Sequence, residues 1–264
     1  MSAALGFSEG EDQPFTAQFL REFLLRVPVA VLFDNEFNAN ATSGFVLNDF
    51  PIIRHYDFLH NMLLNLLEGI CNFAFCVETT SKGKVLAYRK DFLDRSSNYY
   101  KFVTSQINEL LVYATGNIDS FRIETFGVPN NNDDKLFIMG PAVTFYKIAN
   151  SFVWIHEFAH ILFGDVTRIW EPEMEYRCDR FAASCVNNSP GFQRAEVIFS
   201  IDFILILLKI LVETQELIEN KPNQNSSFIL QRARELNEFL YKELNNSEIR
   251  RYNYFSQLMG PIIF

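Results

Sequence analysis

Along this chain the hydrophobic and polar positions recur mostly at the period of an α-helix. Phe15 to Val27, His55 to Phe75 and Asn98 to Ala114 each carry apolar residues three and four apart, which predicts three helices. Pro28 to Phe33 is a short unbroken apolar run and reads as a buried strand. Phe121 to Phe126 and Lys135 to Met139 flank the turn-rich segment from Gly127 to Asp134, a pattern that predicts a hairpin. One of its strands could border a cleft and pair with an extended peptide; the alternative is an ordinary structural hairpin. From Pro141, whose missing N–H suits a first helical turn, a largely apolar helix is expected to run through Leu162 and end at Gly164-Asp165.

A second helix is expected from Pro172 to about Ser184, with acidic residues crowding the end where the helix dipole favours negative charge. After the breaker Asn187 to Gly191, a long helix spans Phe192 to about Asn220. Ser226 or Ser227 caps a last one through about Leu244. The expected fold is mainly α (α+β): a single domain, residues 1–264, with a small sheet or hairpin next to the helix from Pro141. Its core lies at about 119–188, and a helical C-terminal part at about 191–246.

An apolar helix is a costly place for polar groups, and this one holds His156, Glu157 and His160. Residues four apart share a helix face, so both imidazoles can reach one metal ion. Glu157 sits beside them, placed to take a proton from a water the metal activates. With 4 His in the chain, two framing a Glu at this spacing arise by chance in only about one such sequence in several hundred. The competing reading makes them core histidines bonded to backbone carbonyls, with Glu157 facing water.

A catalytic zinc takes three protein ligands and keeps a fourth position open. Glu171, Glu175 and Asp179 share one face of the second helix, and Glu175 is the expected third ligand. Glu173 competes for that role, but it points about 200° away from Glu175 around the helix. Asp179, one turn beyond Glu175, is placed to accept the remaining ring N–H of a ligand histidine. Asp165 reads as a turn or cap residue, and Cys178 and Cys185 as core packing. Arg177, Arg180, Tyr176, His55 and His60 are the candidates for stabilising an oxyanion, with nothing in the sequence to choose among them.

The pair HEFAH and EYRCDRFA resembles the gluzincin arrangement, His-Glu-x-x-His followed by Glu-x-x-x-Asp. Over about residues 141–188 the pattern is most similar to the Lit-like phage-exclusion peptidases, and more loosely to ImmA/IrrE-type and HtpX-type peptidases. The resemblance implies a zincin-like helical domain in which His156, His160 and Glu175 bind Zn2+ and Glu157 is the general base. It further implies a role in bacterial anti-phage defence, with a host translation factor as the protein substrate. The chain departs from HtpX-type enzymes in having no spanning segment, and from ImmA/IrrE-type proteins in having no helix-turn-helix or basic patch.

Composition narrows the partners. A chain of 264 residues that is 48% apolar can bury a substantial core, and its net charge of −9 argues against non-specific nucleic-acid binding. Met1 to Pro14 lacks the basic and apolar regions of a signal peptide, and the run Ile201 to Val212 is too short to span a bilayer. Cys71, Cys76, Cys178 and Cys185 form no dense framework and are expected to be reduced thiols in a cytoplasmic protein. The expected function is a zinc-dependent endopeptidase of narrow specificity, or one that needs an activating partner or peptide. The alternatives are a zinc hydrolase of a non-peptide amide, and a regulatory or binding protein with a structural zinc.

Overall fold

The computed structural model describes residues 22, 29–34, 42–46, 50–89, 98–114, 132–219 and 225–259. The helix expected over 15–27 lies outside them except for Glu22, which is helical, and so does the first strand of the expected hairpin, 121–126. In chain order the described elements are β1 (Ala30–Asp34), β2 (Thr42–Val46), β3 (Phe50–Tyr56), α1 (Asp57–Ala74), β4 (Phe75–Thr80), β5 (Gly83–Tyr88) and α2 (Asn98–Ala114). There follow α3 (Asn132–Leu162), a 3-10 turn (Asp165–Thr167), α4 (Pro172–Asn187), α5 (Arg194–Glu219), α6 (Asn225–Tyr241) and α7 (Asn246–Leu258). The chain is mainly helical, as its periodicity predicts. Its internal packing defines two units, Met1–Leu59 with Asn150–Pro190, and His60–Ala149 with Gly191–Phe264.

In the first unit β3 is the middle strand, parallel to β1 with Ala30 opposite Ile52, and antiparallel to β2 with Thr42 opposite Arg54. Ile52 and Ile53 are adjacent and both buried, so this strand is covered on both faces. Ile53 packs with Ile161 and Leu162 from the end of α3, in a cluster that Val29, Trp154, Phe158, Val166 and Phe181 enclose. A small sheet therefore lies against the motif helix, but N-terminal strands build it. The run Lys135 to Met139, expected as a strand, is helical. β1 occupies nearly the expected place, yet it is an edge strand and Leu32 is 42% exposed.

Helix α3 begins at Asn132, so Pro141 lies inside it and not in its first turn. Ile138, Ala142, Phe145 and Ala149 are all buried, a stripe at helical spacing that runs straight through the proline. An interior proline costs about 3 kcal/mol. Burying one or two large apolar side chains offsets that, at about 1.5–3 kcal/mol each. The apolar run Leu136 to Met139 is too short for its own period to separate helix from strand, and only its continuation past Pro141 reveals the stripe.

The second unit joins α1, α2 and α5 to α7 with the first half of α3. α1 and α2 approach closely at Gly69, where a methyl group would collide with the Phe102 ring. Phe145, Phe199 and Phe255 meet with ring centroids 4.8, 5.1 and 5.4 Å apart. The hairpin β4–β5 turns at Ser81-Lys82, with Gly83 at φ 115°, a conformation that suits glycine. Buried Asp202 of α5 accepts hydrogen bonds from Asn237 Nδ2 of α6 (2.7 Å) and the Tyr252 hydroxyl of α7 (2.8 Å), tying three helices together. α7 starts on a capping box: Asn245 accepts from Glu248 N at 3.1 Å, while Glu248 accepts from Asn245 N at 2.8 Å.

Candidate metal centre

All of the residues that carry the chemistry lie in the first unit. α3 ends at Leu162, Gly164 reverses the chain in the left-handed region (φ 70°), and the 3-10 turn leads through residues 168–171 to α4, with Pro172 in its first turn. This short return sets the face of α4 that bears Glu175 and Asp179 against His156 and His160.

The side chains of three residues converge there. His156 Nε2 lies 3.2 Å from His160 Nε2 and 3.3 Å from Glu175 Oε2, and His160 Nε2 lies 3.5 Å from Glu175 Oε1. Zinc–ligand bonds of about 2.0–2.1 Å at tetrahedral angles place neighbouring ligand atoms about 3.3–3.4 Å apart. The three separations, two of them to different oxygens of Glu175, match the edge of one face of a zinc tetrahedron. Glu173, the competing ligand, is exposed and does not join the group.

The far nitrogens of both rings are directed at carboxylates. His156 Nδ1 is 2.9 Å from Asp179 Oδ1, close but out of line for a straight hydrogen bond, and the Asp179 side chain is only 1% exposed. His160 Nδ1 is 3.3 Å from Asp165 Oδ2. An ionised carboxylate only accepts, so a ring that faces one with its proton on Nδ1 turns the Nε2 lone pair inward. Two lone pairs and a carboxylate then face one another at little more than 3 Å. Such a set of acceptors needs a positive centre, a metal ion or an added proton, and the donor set suits zinc.

Asp165, expected as a turn or cap residue, is buried and does more than end the helix. Its Oδ1 accepts from Arg177 Nη2 at 2.5 Å, and its Oδ2 accepts from the Cys178 thiol at 3.6 Å and faces His160. Arg177 also lies 4.3 Å over the Phe163 ring. Cys178 is 3.4 Å from His160 Nδ1, so it borders the site where core packing alone was expected. Burial, then the Asp165 and Glu175 carboxylates, push its thiol well up from the usual cysteine range, against a smaller opposing effect of Arg177. It therefore acts as an S–H donor. His160, Asp165 and Cys178 form a second possible metal-holding group, on the opposite edge of the same imidazole.

Glu157 is buried, where the non-metal reading would have it facing water. Trp170 donates its indole N–H to Glu175 Oε1 at 3.2 Å. Of the oxyanion candidates, Arg177 is engaged with Asp165, Arg180 is exposed and Tyr176 is buried, while the side chains of His55 and His60 lie outside the described part. Among the described residues no helix is long and apolar enough to cross a membrane. The chain matches no family model, no curated protein and no solved structure.

Proposed function

We propose that this chain is a zinc-dependent endopeptidase, with His156, His160 and Glu175 as zinc ligands and Glu157 as general base. The observation that carries the reading is the convergence of the two Nε2 atoms and the Glu175 carboxylate, with separations of 3.2, 3.3 and 3.5 Å, backed by Asp179 and Asp165. Among the described residues no fourth His, Cys, Asp or Glu joins this triad. A structural site closes with four protein ligands, whereas a catalytic one keeps a position open, so three ligands favour catalysis.

Zinc held there would supply Lewis-acid polarisation of a carbonyl and a water of lowered pKa. Asp179 and Asp165 fix the tautomer and tilt of the two rings. Trp170 holds one oxygen of Glu175. The Glu157 carboxylate, next to His156 in a buried stretch of helix, takes a proton from the attacking water and returns it to the leaving amine.

The resemblance to the Lit-like peptidases extends the proposal to a single host protein, a translation factor, cut during phage defence, with narrow specificity or an activating partner restraining the enzyme. Mapping new protein termini in cells that express wild type or Glu157→Gln tests this. The proposal expects cleavages present only with wild type, while zinc binding is equal in both proteins. Identical termini in the two would remove the general base, and cleavage spread over many unrelated proteins would remove the narrow specificity.

A further inference from the structure

The connection that returns the chain from α3 to α4 carries the two most exposed large apolar residues among those described, Ile169 at 89% and Trp170 at 56%. They are consecutive, with the exposed charges of Arg168 and Glu171 on either side. A turn whose task is to bring Glu175 back to the histidines has no need of such side chains. Apolar pairs held in water mark contact surfaces, and tryptophan is the side chain most enriched where binding energy concentrates.

Trp170 is also tied to the site. Its Nε1–H donates to Glu175 Oε1 at 3.2 Å, and that same oxygen lies 3.5 Å from His160 Nε2. Those two steps together span about two residues of an extended peptide at roughly 3.3 Å each. A polypeptide that presents a carbonyl at these donors and runs toward the connection reaches the indole within one or two residues of the bond being cut.

We infer that Ile169 and Trp170 anchor a large apolar side chain of the substrate polypeptide, one or two residues from the cleaved bond, and that the Trp170 N–H couples this anchor to Glu175. The inference rests on the endopeptidase reading. Covering the indole removes water from the N–H···O contact and strengthens it, which holds the Glu175 carboxylate toward the histidines. Coupling of this kind is reciprocal: an occupied anchor tightens zinc, and bound zinc tightens the substrate.

The test uses the full chain and the protein fragment spanning the cut that terminus mapping identifies. That fragment carries a large apolar residue within two positions of the cut. Ile169→Ser lowers kcat/KM about tenfold, mainly through KM, with zinc affinity unchanged. Changing the substrate's apolar residue to Ser costs about the same, and the two changes together cost little more than one, as partners in contact do. Trp170→Phe keeps the apolar anchor but weakens zinc about three- to tenfold, measured with a competing chelator.

Additive losses, or a cut with no large apolar residue nearby, overturn the anchor while leaving the endopeptidase standing. Zinc affinity unchanged in Trp170→Phe overturns the coupling, whatever the activity. A wild-type protein that binds zinc and cuts nothing overturns the endopeptidase reading and the anchor with it, and the zinc titration of Trp170→Phe still decides the coupling.

Discussion

Replacing Asp179 with Asn separates a residue that orients a metal ligand from one that merely pairs inside a core. The change is isosteric and removes one charge from a side chain that is 1% exposed and 2.9 Å from His156 Nδ1. In the zinc-bound protein it weakens the partner that holds the ring's proton on Nδ1. Loss of such outer partners typically costs about 10–100-fold in metal affinity, or about 1.4–2.8 kcal/mol. Zinc affinity by chelator competition and thermal unfolding with and without chelator measure the effect. Zinc should raise the variant's stability by about 1.4–2.8 kcal/mol less than it does for wild type. Unchanged zinc affinity would refute the orienting role.

Two further outcomes follow from the buried charges. Arg177→Met leaves the Asp165 carboxylate without its cation and should destabilise the protein by about 1–3 kcal/mol in urea unfolding, discounted because the Arg177 side chain is 39% exposed. Adding Asp165→Asn should recover part of that loss, and strictly additive losses would deny the pair. In α5, burial pushes the Asp202 carboxyl up from 3.8 to about 7, against the opposing Tyr252 and Asn237 donors. The folded state then holds this proton more tightly than the unfolded one, so the contribution to stability is greatest below about pH 4 and is lost as pH rises to about 7. At about 1.4 kcal/mol per pKa unit the loss approaches roughly 4 kcal/mol. Asp202→Asn should remove that slope and be the more stable protein at pH 8. A wild-type-minus-variant difference that is flat from pH 4 to 8 contradicts this.

Most of the described helices and the donor set were legible because each rests on local spacing. His156 and His160 lie one turn apart, Glu175 and Asp179 one turn apart, and a helix places such pairs on one face without help from the rest of the chain. The return of α4 onto α3 is not local, and what depended on it was misread. Asp165 looks like a helix-end residue until that return brings Arg177 and Cys178 to it, 12 and 13 positions downstream. The small sheet was expected beside the motif helix, but residues 135–139 are helical and β1, itself expected as a strand, pairs instead with β3, which also pairs with β2, across sequence gaps that carry no turn signal as clear as Gly127 to Asp134. α7 was missed although its signal is local, Asn245 followed three residues later by Glu248.

The most direct test of the metal centre is X-ray absorption at the zinc edge on the protein loaded with one equivalent of zinc. Coordination by His156, His160 and Glu175 predicts a first shell of nitrogen and oxygen alone, at about 2.0–2.1 Å. A sulfur neighbour at about 2.3 Å would move the ion to His160, Asp165 and Cys178, and failure to retain zinc would contradict the account outright.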